Sequence, residues 1–136
     1  MNEPLIADET NVASLPWALF FNQSYVGDTG TTWTPTFNGL GSTGTPTISG
    51  VYYKLSQNLV FFRIRIVPST DTTSTAGTTY CDNFPLTIFN DGACLSVGNN
   101  LGGSSGMAVA ANNRIYTPAW SAVNYPVSVV GLVEAR

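Results

Sequence analysis

Apolar and polar positions alternate most clearly in residues 58–67, NLVFFRIRIV. A strand sends successive side chains to opposite faces. Val60, Phe62, Ile64 and Ile66 therefore share one face, all apolar, which belongs in a core. Phe61, Arg63, Arg65 and Val67 share the other, which mixes charge with apolar groups. Similar β-branched and aromatic runs predict strands near 31–37, 45–55, 78–81, 84–89, 93–98, 106–111, 113–117 and 125–134. Turn residues punctuate them at 39–44, 57–58, 68–77, 90–92, 99–106 and 112–113. The helical period is almost absent; the helix-friendly window GMAVAA (106–111) is too short to matter. Many short strands at this spacing indicate an all-β sandwich or barrel. The expected fold is an antiparallel, jelly-roll-like β-sandwich over residues 27–136, preceded by an extended arm over 1–26.

The arm has its own pattern. Residues 1–14 are polar and acidic, whereas 15–26, LPWALFFNQSYV, are apolar and aromatic. Such a segment gains too little alone to offset its ordering entropy, so it needs a surface to lie on. That surface is either its own domain or a neighbouring subunit or protein. Leu15, Trp17, Leu19, Phe20, Phe21 and Tyr25 are the expected contacts, with particle docking as the expected role.

Within the domain, Asn90-Asp91-Gly92 reads as a tight hairpin turn between strands 84–89 and 93–98. In that register Cys94 faces residue 89, far along the strand from Cys81, which predicts two free thiols. WTPTF (33–37) and YTPAW (116–120) echo each other. Proline supplies no ladder donor, which places both at sheet edges or strand starts.

Composition narrows the function. Charged residues are 10% of the 136, against about 25% in ordinary domains. Net charge is −3, the opposite of the basic footprint that nucleic-acid binding requires. No apolar run approaches the ~18 residues of a membrane span. The start MNEPLIADETN carries acids where a secretion signal needs Lys or Arg. There is no histidine, so Ser-His-Asp and Cys-His arrangements are impossible, and two cysteines alone cannot close a zinc site. GGSSG (102–106) is followed by neither Lys nor a helix, so it is a loop and not a phosphate cradle. VGDTG (26–30) lacks the spaced carboxylates of a calcium loop. No cofactor is expected. Among the carboxylates, Asp82 and Glu134 alone stand outside the arm and the turn segments, as the one candidate pair for sugar hydrolysis.

Two candidate surfaces remain. Phe61, Arg63 and Arg65 suit a subunit interface, because a guanidinium is weakly hydrated and pairs directionally. A solvated face with arginine stems over Phe61, or an anionic ligand site, would use the same residues. Trp33, Tyr116 and Trp120 are the candidates for glycan contact, although aromatics in β proteins are mostly core.

GDTGTTWTPTF (27–37), GTPTISGVYYKL (44–55), NLVFFRIRIVP with its following loop (58–80), NFPLTI (83–88), NRIYTPAW (113–120) and VVGLVEA (129–135) together resemble a β-sandwich module of tailed-bacteriophage structural proteins. The resemblance covers residues 25–136 and lies in the order of the motifs. It implies a non-enzymatic protein, usually trimeric, displayed on the virion exterior after assembly in the host cytoplasm. Such modules often end tail-fibre or tail-tip chains. A short arm with a compact head, lacking a shaft or heptad seam, also describes a capsid decoration protein. The expectation is therefore a homotrimeric decoration protein contacting other virion proteins, with a tail knob binding a host receptor or glycan as the alternative, and without nucleic-acid or membrane partners.

Overall fold

The strand at NLVFFRIRIV organises the domain. The computed structural model describes residues 29–98 and 105–136. The strands are β1 Thr31–Trp33, β2 Phe37–Asn38, β3 Gly41–Thr43, β4 Thr47–Lys54, β5 Leu59–Val67 and β6 Asp71–Ser74, followed by β7 Tyr80–Cys81, β8 Ile88–Gly98, β9 Ser105–Val109, β10 Arg114–Tyr116, β11 Trp120–Val123 and β12 Val127–Ala135. On β5, Val60, Phe62, Ile64 and Ile66 are fully buried, while Arg63, Arg65 and Val67 are exposed and Phe61 is half-buried. β12 runs antiparallel beside it and adds Val127, Val129, Val133 and Ala135 to the same core.

Every strand pair described is antiparallel. One sheet has nine strands in the order β1-β4-β5-β12-β8-β9-β10-β7-β2. The second has three, β11-β6-β3. The all-β, antiparallel expectation holds, but the layers are unequal. β1 and β2 form opposite edges of the large sheet, yet only Thr34, Pro35 and Thr36 separate them in the chain. Four peptide steps span at most ~14 Å. The large sheet must therefore curl back on itself, and it encloses most of the core. Asn83 fastens this crossover: its Oδ1 accepts the Thr36 N–H at 2.9 Å and its Nδ2 donates to the Thr34 carbonyl at 2.8 Å.

The predicted hairpin at Asn90–Gly92 is not present. β8 runs unbroken through it. Leu132 faces Ala93 and Glu134 faces Asn90, so one residue of β12 opposes two of β8. Asp91 and Gly92 form a bulge, not a turn. Asp91 Oδ1 accepts the Ala110 N–H at 2.7 Å, a bond that ties the bulge to the segment after β9. Both cysteines are nonetheless free and buried. In the sheet order β9 and β10 lie between β8 and β7, so the two cysteines are not on neighbouring strands.

The second sheet was invisible in the pattern. β3 and β6 fall in segments read as turns, and β11 in an unassigned stretch. This sheet meets the large one through Trp120 and Val123 of β11, which join the core, and through a set of buried hydroxyls. Ser74 Oγ donates to the Pro118 carbonyl and lies 2.7 Å from Thr117 Oγ1. Thr79 Oγ1 donates to the Gly39 carbonyl at 3.0 Å. Pro35 and Pro118, the centres of the two echoing motifs, both sit between strands, at the edge crossover and at the passage from β10 to β11.

Candidate functional site

The convex face of the large sheet is its chemically distinctive surface. Alternation along each strand leaves Val51 and Tyr53 of β4, Phe61, Arg63 and Arg65 of β5, and Val130 and Leu132 of β12 pointing away from the core. Cross-strand register aligns them. Tyr53 faces Phe61, which faces Leu132, which faces Ala93. Arg63 sits between Val51 and Val130, and Arg65 between Ser49 and Ser128. Leu132, Leu95, Val97 and Met107 are 48%, 50%, 52% and 54% exposed, far more than an apolar side chain needs to be in a closed fold. A shallow depression of about 410 Å³ lies among Phe61, Ala93, Leu95, Ser105, Val130 and Leu132.

Arg63 and Arg65 thus project where the pattern predicted, beside Phe61. Among the described residues no carboxylate pairs with either guanidinium. Phe61 packs on Tyr53 with ring centroids 6.1 Å apart. The sequence reasoning did not single out Leu95, Val97, Met107, Val130 or Leu132. Their alternation with buried Cys94, Ala108, Val129 and Val133 carried the signal, but a strand flanked by loops gives no clue to which face is covered.

The glycan candidates separate. Trp120 is buried, and its Nε1 donates to Thr72 Oγ1 at 3.0 Å, which withdraws it from any surface contact. Trp33 turns inward, edge-on to Phe84 at 5.4 Å and against the backbone of Gly50, so its ring serves packing. The burial of Trp120 corrects the expectation for that residue, whereas Trp33 is only partly buried. Tyr116 alone remains on the outer side, in a cluster with Tyr80 and Arg114. The rings lie 5.2 Å apart, the Arg114 guanidinium sits 4.1 Å above Tyr80, and its Nη1 donates to the Tyr116 hydroxyl.

The carboxylate pair does not assemble. Asp82 follows β7, whereas Glu134 lies on β12, four strand spacings or ~19 Å along the sheet. Each carboxylate is engaged locally. Asp82 accepts Thr36 Oγ1 at 2.7 Å and Asn38 Nδ2, and the Thr36 bond is the main reason its pKa lies below the ordinary value. Glu134 accepts from Asn90 Nδ2. Burial pushes the Cys94 thiol up to about 12 and raises that of Cys81, so neither suits nucleophilic work. Among the described residues no group of three or more His, Cys, Asp or Glu could hold a metal ion, and no helix is long and apolar enough to cross a membrane. The arm residues Leu15, Trp17, Leu19, Phe20, Phe21 and Tyr25 lie outside the described residues.

In comparisons with known proteins, no family model, curated relative or solved structure matches this chain.

Proposed function

We propose that this chain is a non-enzymatic structural protein of a bacteriophage exterior, a homotrimeric capsid decoration protein. The observation that supports it is the pair of guanidiniums on the convex face. Arg63 and Arg65 stand among Val51, Val67, Val97 and Val130, charged groups set in an apolar surround. Such a surface has the character of an interface, in which arginine is enriched and buried apolar area supplies the driving force. The resemblance of the motif order to tailed-phage modules supports the choice of particle, and the sparse charge suits a protein that works inside an assembly.

Sedimentation of the full chain and of the double variant Arg63→Gln/Arg65→Gln tests the interface. The expected result is a trimer that the variant converts to folded monomer. A monomeric parent, or an unchanged oligomer in the variant, would overturn the assignment. Imaging of particles carrying a label at Arg136 tests the location. Many copies over the shell support decoration. A few copies at the tail would replace it with a tail-tip role, and none on the particle would refute both.

A further inference from the structure

Arg114 stands on β10, four places from β5 in the sheet order, and its surroundings differ from those of Arg63 and Arg65. Alternation puts Arg114 and Tyr116 on the outer side, because Ile115 between them is fully buried. Tyr80 of β7 is the register partner of Tyr116, and Asn38 of β2 is the partner of Tyr80. One step past the Ile115–Cys81 pair, Asp82 comes opposite Arg114, and their charges attract. Three short strands thus gather two tyrosines, an amide and both signs of charge on one patch.

The patch is held in place but its hydrogen-bonding capacity is largely unused. The Arg114 guanidinium lies 4.1 Å above the Tyr80 ring and gives one hydrogen bond, from Nη1 to the Tyr116 hydroxyl at 3.3 Å. A guanidinium has five N–H donors, so most of them remain. Asp82 accepts one side-chain bond on each oxygen, from Thr36 Oγ1 and Asn38 Nδ2, and a carboxylate can accept about four. Those two bonds already tie β2 to β7. Pinning the strands therefore does not call for Arg114, which two tyrosines fix beside the carboxylate without a hydrogen bond to it.

Tyr116 has a second neighbour. With Gly77, Ser105, Met107 and Thr117 it walls a depression of about 300 Å³. That is the small end of the roughly 300–1,000 Å³ range of ligand pockets, and suits one small ring. Met107 is 54% exposed, so the apolar wall is open to a ligand. Fixed donors beside fixed acceptors match a ligand whose polar groups both give and accept hydrogen bonds, as sugar hydroxyls do. Tyrosine rings offer flat apolar surface to the C–H face of a sugar ring. Asp82 disfavours a simple anion, and Arg114 a simple cation.

We propose that this patch binds a neutral saccharide, with a pyranose ring in the depression against Tyr116 and hydroxyls taken by Arg114, Asp82 and Asn38. The site is separate from Arg63 and Arg65 and does not depend on the oligomeric state.

The test titrates the full chain, labelled with nitrogen-15, with the methyl glycosides of glucose, galactose, mannose and N-acetylglucosamine, and with lactose and maltose. A contact of this size has a Kd on the order of 1 mM. At least one sugar is expected to shift the amides of Tyr80, Asp82, Arg114 and Tyr116 saturably. Arg114→Gln and Asp82→Asn should each weaken that sugar about tenfold. Tyr116→Phe keeps the ring and should weaken it about threefold. Absence of a saturable shift with every sugar would overturn the proposal, as would shifts confined to other residues or binding unchanged in the variants. Lowered stability in the variants, with no sugar bound by the parent, would leave the cluster a purely structural role and overturn it as well. Shifts of the same amides by sodium phosphate and by none of the sugars would do so too. The parent is titrated directly, so a variant that fails to fold does not remove the test. A monomer that binds sugar would refute the trimeric assignment above and leave this one standing, and a trimer that binds none would do the reverse.

Discussion

The indole of Trp120 donates its N–H to Thr72 Oγ1 at 3.0 Å, and both residues are buried. The bond links β11 to β6, the two strands that carry most of the smaller sheet's core contribution. Thr72→Val keeps the shape and strands the donor, which should cost about 1–3 kcal/mol. Adding Trp120→Phe removes the stranded donor, so the double variant should lose less than the two single losses combined. Denaturant melts of the four proteins measure this coupling.

Gly131 sits mid-strand in β12, between β5 and β8. A Cβ there would fall 2.5 Å from the Ala93 carbonyl oxygen and 2.6 Å from Phe62 Cζ. Neither neighbour can retreat, since one is backbone and the other is packed in the core. Gly131→Ala should destabilise the fold by about 3 kcal/mol, read as a lowered denaturation midpoint with an unchanged slope.

The cysteines should behave as buried thiols. At pH 8 both should resist an aromatic disulfide reagent in the folded chain and react rapidly in denaturant. The raised thiol of Cys94 also fixes an alkaline effect. Its ordinary value is 9.0 and its folded value about 12. Between these the unfolded chain binds fewer protons, so stability should fall as pH rises through that window. Cys94→Ala should flatten the fall, seen in thermal midpoints measured from pH 8 to 11.

Asp82 gives the acid-side counterpart. Its folded pKa lies below the ordinary 3.8, chiefly through the Thr36 hydroxyl. Its stabilisation is present above that ordinary value and lost as pH falls through the folded one. The carboxylate is exposed, so solvent screening keeps the effect small. Asp82→Asn should lower the thermal midpoint slightly at pH 7 and reduce its dependence on pH below about 4.

The long strands were legible because each buries one face in a thick core. In NLVFFRIRIV the inward residues follow from alternation, and the terminal VSVVGLVEA was legible as a strand from its β-branched run, although apolar groups on both of its faces hid which one is covered. The smaller sheet was not legible. Its strands GST and DTTS carry no large apolar group, and burial there is met by hydroxyls that bond in pairs, such as Ser74 with Thr117. A polar strand of this kind reads as a turn until its partner is known. Asp91-Gly92 misled for a related reason, since the same residues suit a tight turn and a bulge. At the candidate surface, Arg63 and Arg65 could be placed on the outer face from periodicity alone. The apolar row could not, because it exists only across strands that are distant in the chain.

The crossover from Trp33 to Phe37 has a consequence for how copies can meet. It brings the two edges of the large sheet toward each other, and those edges are strands of only three and two residues. A long open edge invites another chain to add its backbone and grow a continuous ribbon. Here that route offers almost no ladder to extend. Contact through the large sheet must therefore go through side chains, which makes it selective in register and reversible by single substitutions.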